Sequence, residues 1–91
     1  MSSVVRRHEI LNVKGLHARA SAKFVEVVEN HDASAIVEKD GLEAGGDSIM
    51  GLLMLAASKG TSIDVTTKGT DAAALADALE ALIQDRFGEG M

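Results

Sequence analysis

Apolar and polar residues alternate loosely over residues 4–12, with Val4 and Ile10 on one side of a half-buried strand that Lys14-Gly15 ends. The period then lengthens. Ala20, Phe24, Val27 and Val28 recur at helical spacing from about residue 18 to 29, with Lys23, Glu26 and Glu29 on the other side, which predicts an amphipathic helix. Asn30-His31-Asp32 breaks that pattern. Residues 34–39 return to alternation, Asp40-Gly41 is the dipeptide a type I′ hairpin turn demands, and a short strand returns over 42–44. In the loop Gly45-Gly46-Asp47-Ser48 either of the last two side chains can cap the helix predicted over 49–57, which Lys59-Gly60 closes. A further strand over 61–68 sets Ile63, Val65 and Thr67 against Ser62, Asp64 and Thr66. Beyond Gly69, a Thr70 or Asp71 cap opens a last helix over 72–87 with Leu75, Leu79, Leu82, Ile83 and Phe87 on one face. Residues 88–91 are expected to fray.

Strand, helix, strand, strand, helix, strand, helix is the order of an α+β domain, an antiparallel sheet with helices packed on one face. At 91 residues the chain holds one modest core and reads as a single domain, 1–91. Phe24 and Phe87 are its only aromatics, so the core is built from aliphatic side chains and no base-stacking platform exists. A net charge of -5, with no basic run longer than Arg6-Arg7, argues against nucleic acid as a partner. Absence of cysteine excludes disulfides and thiolate metal sites. The N-terminus lacks the apolar stretch of a secretory signal, and the longest apolar run, residues 49–57, is too short to span a bilayer. A cytoplasmic protein that does not enter the membrane is expected. His8 and His31 stand at no ligand spacing from each other or from His17, so neither a metal nor another cofactor is expected. Glu26, Glu29, Glu38 and Glu43 fall on faces expected to be solvated and receive no catalytic role.

One position breaks a local rule. At the turn into the first helix, Gly15-Leu16-His17-Ala18-Arg19 carries a histidine where Ser, Thr, Asp or Asn would ordinarily cap. The free N–H groups and dipole of a helix start attract an anion, and Arg19 in the first turn can add charge-assisted hydrogen bonds. The same positive end favours a neutral, nucleophilic imidazole at His17. A surface histidine filling a cap, beside a solvated arginine, is the simpler reading of the same residues.

Gly15-Leu16-His17-Ala18-Arg19, followed by Ala22 and Phe24, resembles the active-site motif of the HPr family, the histidine-containing phosphocarriers of the bacterial phosphotransferase system. Asp47-Ser48-Ile49-Met50-Gly51 resembles the segment around that family's regulatory serine. The resemblance extends over nearly the whole chain. It implies an open-faced β-sandwich, four antiparallel strands in the order 1-4-2-3 under three helices, with His17 exposed at the sheet edge. It implies a carrier rather than an enzyme: His17 takes a phosphoryl group on Nδ1 from enzyme I and passes it to a histidine of an enzyme IIA-type acceptor, with Arg19 steadying the phosphate. The acceptor belongs either to sugar uptake or to a nitrogen-related regulatory phosphorelay. Ala20 stands where the family often has proline, a change of rigidity more than of chemistry.

Ser48 has two readings, an N-cap and, by resemblance, a target of HPr kinase/phosphorylase. Residues 49–55 are apolar on nearly every side, more than a short helix in a small domain can bury. Leu52 and Leu55 are assigned to the core, while the resemblance puts Ile49, Met50 and Leu53, with Ala18, on a docking face. A monomer is expected. Two rivals remain open: a regulatory docking module of the same fold acting mainly through Ser48, and a metal- or small-molecule-binding domain of ferredoxin-like appearance, for which the sequence offers neither ligand cluster nor glycine-rich cradle.

Overall fold

The computed structural model describes residues 3–89. Strand β1 (Ser3–Glu9) is followed by helix α1 (Ala18–Glu29), strands β2 (Ser34–Lys39) and β3 (Leu42–Gly45), helix α2 (Ile49–Met54), strand β4 (Ser62–Lys68) and helix α3 (Ala72–Gln84), with a 3-10 turn at Arg86–Gly88. The sheet is antiparallel throughout, in the order β1-β4-β2-β3, and the helices cover one face. β4 is central: Val65 pairs with Arg6 on one side and Val37 on the other. Ile63, Val65 and Thr67 point into the core as their alternation predicts, while Val5, Thr66 and Ile36, aligned across three strands, lie on the open face.

The core is aliphatic around two phenyl rings. Phe24 and Phe87 are fully buried with Ile10, Val37, Leu52, Leu75 and Leu79. The helical face of α1 is wider than its apolar spacing suggests, since Ser21 and Val25 are buried beside Ala20, Phe24 and Val28. Ser21 is satisfied there by donating to the Leu16 carbonyl at 3.2 Å. Asp40 and Gly41 both take positive φ, 51° and 83°, as the tight hairpin requires.

Several boundaries differ from the sequence expectation. α2 stops at Met54 rather than near residue 57, because Ala56 turns to φ 52° and the chain breaks away to let the Ala57 carbonyl accept from Leu16 N–H at 2.9 Å. Asp71 precedes α3 but does not cap it with its side chain; its carboxylate accepts instead from Asp32 N–H at 2.7 Å, tying the start of α3 to the turn after α1. α3 ends at Gln84, and Arg86 and Phe87 then adopt left-handed φ of 54° each, which drives the Phe87 ring into the core. Gly88 and Glu89, expected to fray, instead fold back over the entrance to α1; residues 90 and 91 of that expected tail lie outside the described residues.

The inner face of β1 is the most polar part of the interior. Arg6 reaches over α3 to Asp77 (2.8 Å) and Glu80 (3.3 Å), and His8 is buried next to it. Burial pushes the His8 imidazole below the usual histidine range, against the upward pull of Glu80 and with a smaller downward push from Arg6.

Two predictions follow from this packing. Gly15 has φ +65°, and a Cβ there would stand 2.3 Å from the Ala57 carbonyl oxygen, a backbone atom that cannot yield cheaply. Gly15→Ala should therefore destabilise the fold by about 2 kcal/mol or more, read from urea unfolding midpoints. For His8 the unfolded chain binds the proton more readily than the folded one, so stability falls as pH drops through the unfolded value near ~6.5, by at most about 1.4 kcal/mol per pH unit. Unfolding free energies at pH 7.5 and 5.5 should diverge more for the natural chain than for His8→Leu.

Candidate functional site

The segment from Asn12 to His17 is fixed by the backbone before any side chain acts. Gly15 N–H donates to the Asn12 carbonyl at 3.2 Å, Leu16 N–H reaches Ala57 and Leu16 is buried, so the next residue is delivered at the first turn of α1. That residue, His17, is the N-cap of the helix, with extended backbone (φ -74°, ψ -178°) and its carbonyl accepting from Ser21 N–H at 2.8 Å. Its Nδ1 accepts from the backbone N–H of Arg19 at 3.2 Å. The imidazole thus performs the task that a serine or aspartate oxygen performs at other helix starts, with a nitrogen lone pair in the oxygen's place.

The other ring nitrogen is engaged from the far end of the chain. His17 Nε2 is hydrogen-bonded to Glu89 Oε2, and Glu89 Oε1 accepts from the Asn12 side-chain amide at 3.0 Å. The Asn12 amide also donates to the Gly15 carbonyl at 2.8 Å, and Asn12 is fully buried. Its own Oδ1 is buried with no hydrogen-bond partner among the described residues, a defect that costs about 1–3 kcal/mol. The His17 hydrogen bond, against the opposing effect of burial and with a smaller contribution from Asn12, holds the Glu89 carboxyl below the usual carboxylate range, so it is ionised at neutral pH.

The sequence placed His17 in the open, yet its side chain is 27% exposed because Glu89 leans on it. What remains open faces a cleft of about 490 Å³ lined by Lys14, His17, Ala18, Arg19, Lys23, Gly88 and Glu89. Three cations and one carboxylate border the imidazole. Among them only Arg19 was singled out from the sequence, and at present it serves the ring through its backbone N–H while its side chain lies exposed. Lys23 also donates to the Phe87 carbonyl at 2.6 Å, anchoring the returning tail. Asn12 and Glu89 carry no local signal: an asparagine at a strand end and a glutamate 72 positions from its partner acquire meaning only when the fold joins them.

The remaining predicted residues form a second group. Ser48 caps α2, its Oγ accepting from Gly51 N–H at 3.0 Å. Leu52 and Leu55 are core; Ile49 and Met50 are exposed and Leu53 is half-buried. Met54, unassigned from the sequence, is 75% exposed, more than Met50 at 69%. The two groups meet through the loop after α2, where Ala56, Ala57 and Ser58 border His17 and Leu16 in a second depression that shares Lys14 with the cationic cleft. Among the described residues no three His, Cys, Asp or Glu side chains converge as metal ligands, and no helix is long and apolar enough to cross a membrane.

Comparison with known proteins agrees with this geometry. Residues 4–85 match the family model for the PTS HPr component phosphorylation site. The chain is 49% identical over 82 residues to phosphocarrier protein HPr of Neisseria meningitidis, covering 90% of this chain and 92% of that protein. It is 37% identical over 89 residues to phosphocarrier protein NPr of Shewanella violacea, covering 98% of each. Among solved structures, HPr from Bacillus anthracis superposes with a TM-score of 0.86 at 37% identity, covering 92% of this chain and all of that one. Bacillus subtilis Crh, a catabolite repression HPr, matches with a TM-score of 0.74 at 33% identity, over 89% of this chain and 93% of that one. The chain belongs to the HPr family of the bacterial phosphotransferase system, proteins that carry a phosphoryl group on a histidine rather than turn over a substrate.

Proposed function

We propose that His17 is the carrier histidine and that the phosphoryl group is borne on Nδ1. The observation that supports this most is the placement of Nδ1 at the N-terminus of α1, with its lone pair towards the Arg19 N–H and a cationic cleft in front. When a phosphoryl group arrives on Nδ1, the lone pair is consumed, and the Arg19 N–H that faced it becomes a donor to a phosphoryl oxygen. The Arg19 guanidinium, free in the cleft, folds onto the same oxygens, and Lys14 and Lys23 add long-range attraction. The donor is the phosphohistidine of enzyme I and the acceptor a histidine of an enzyme IIA-type protein, each entering in line with the N–P bond. On this reading the chain works in the cytoplasm as a monomer.

Ala18, Ile49, Met50 and Leu53, to which Met54 is added, form the docking face. Ala18 is exposed beside His17, and the apolar side of α2 left over after Leu52 and Leu55 enter the core gives partners a surface that excludes water near the transfer. Ser48 is a target for HPr kinase/phosphorylase. Phosphorylation there would exchange the Oγ cap for a dianion at the start of α2, tolerated by the helix end but hostile to an apolar contact. The likeness to Crh, a catabolite repression HPr, favours a second, regulatory reading of this fold, and in it the docking module would act mainly through Ser48.

Incubation with enzyme I and phosphoenolpyruvate, followed by mapping of an acid-labile phosphate, should locate one phosphoryl group on His17. His17→Ala should abolish labelling while leaving the fold intact, and Arg19→Ala should slow it by about ten- to a hundredfold, the loss of one charge-assisted contact. Persistence of labelling in His17→Ala would move the carrier role elsewhere. For Ser48, the Asp substitution keeps a cap and adds charge: its melting temperature should stay within a few degrees of the natural chain while enzyme I affinity falls. Ser48→Ala should instead cost about 1 kcal/mol of stability and leave affinity unchanged. Unaltered binding by Ser48→Asp would remove the regulatory assignment.

A further inference from the structure

The carrier reading uses Nδ1 of His17 and leaves unexplained why the opposite nitrogen meets a carboxylate from the far end of the chain. That carboxylate is not a loose surface group. Its side chain is 12% exposed, one oxygen faces Nε2 and the other takes the amide of the fully buried Asn12. The segment that delivers it is anchored at Phe87, whose ring is in the core and whose carbonyl accepts from Lys23, and it turns at Gly88 with φ +75°. The Asn12 amide is turned so that its N–H groups serve Gly15 and Glu89 while its oxygen goes unpartnered, which is an orientation chosen for donation.

The geometry points to Glu89 as the carboxylate that keeps a proton on Nε2 throughout the phosphoryl cycle, with Asn12 as its positioning residue; this rests on the assignment of His17 as the carrier. With the proton held on Nε2, the Nδ1 lone pair is available and no proton need leave when it attacks phosphorus. The N–P bond of the donor breaks as the Nδ1–P bond forms, and the ring acquires a positive charge that the Glu89 carboxylate neutralises. On transfer to the acceptor, the Nδ1–P bond breaks, its electron pair returns to Nδ1 and the ring leaves as a neutral imidazole. Without the Nε2 proton the same step would expel an imidazolate, a far poorer leaving group. The other charged groups facing the imidazole, Lys14 from the preceding loop and Arg19 and Lys23 from α1, all oppose a positive ring, so Glu89 is the counter-charge among the groups lining the cleft.

The test separates the hydrogen bond from the charge. In the natural chain labelled with 15N-histidine, the His17 Nε2–H proton should be visible downfield and protected from exchange. Glu89→Gln keeps a neutral oxygen acceptor and should retain that signal; Glu89→Ala should lose it to solvent exchange, and Asn12→Ala should weaken it. After phosphorylation by enzyme I and removal of the donor, phosphohistidine in Glu89→Gln should hydrolyse about tenfold more slowly at pH 8.5 than in the natural chain, because the charge partner of the protonated ring is gone. An unchanged Nε2–H signal in Glu89→Ala, or equal decay of the natural and Glu89→Gln phosphoproteins, would overturn the assignment. Failure of the natural chain to take phosphate at all would instead strike the carrier reading, and the NMR comparison would still decide whether Glu89 holds the proton.

Discussion

The first turn of α1 needs an acceptor for an N–H group that has no partner in its own helix, and this molecule supplies a nitrogen lone pair rather than an oxygen. The consequences spread outward from that substitution. An imidazole that caps is tied to the helix it starts, Nδ1 to the Arg19 N–H. On the proposed carrier role, a group borne on Nδ1 would arrive where the field of the helix already favours negative charge, so capping and anion binding would be successive uses of the same end of the helix. To hold that ring steady, the preceding loop cannot drift, and the close contact between Gly15 and the Ala57 carbonyl, with the Leu16 N–H bond beside it, ties the loop to the end of α2. Early termination of α2 is therefore part of the site: one more turn of helix would withdraw the carbonyl that fixes Leu16.

A domain of this size has few side chains to spare, and it divides α2 accordingly. Leu52 and Leu55 are committed to the core, where they meet a packing built around Phe24 and Phe87, and the rest of the apolar circumference is left outside. The Met50 and Met54 side chains suit such a surface because an unbranched thioether adapts to more than one partner shape. A carrier has to fit a donor and an acceptor in turn, and if the proposed face and nucleophile serve that role, affinity would be spread over α2 while geometry is set at His17.

The parts of the molecule legible in sequence are those settled within a few residues. The spacing of Ala20, Phe24 and Val28, the two positive-φ positions at Asp40-Gly41 and the Ser48 cap each follow from local sterics and hydrogen bonding, and the structure places all of them as expected. The candidate nucleophile stands out for a related reason, since a histidine at a helix start violates a local preference. What was not legible depends on pairs the chain joins late. Asp71 has the chemistry of a cap but is drawn to Asp32 by the packing of α3, α2 ends early because Leu16 claims Ala57, and Glu89 becomes part of the site only through the burial of Phe87. No window of sequence contains either partner's reason.

Charge at the site runs against the charge of the chain. The protein as a whole carries -5, yet Lys14, Arg19 and Lys23 line the cleft in front of His17, where the proposed role would bring a phosphoryl dianion. Three cations with nothing to balance them would hold a phosphoryl group too firmly for a carrier, whose product must leave as readily as it came. A single carboxylate on the far side of the ring would offset part of that attraction without touching the phosphoryl oxygens, since the positive charge gained when Nδ1 is phosphorylated is shared across the imidazole to Nε2. Placing Glu89 against Nε2 rather than in front of Nδ1 thus reconciles two demands that would otherwise conflict: a strong field for capture and a neutral leaving imidazole for release.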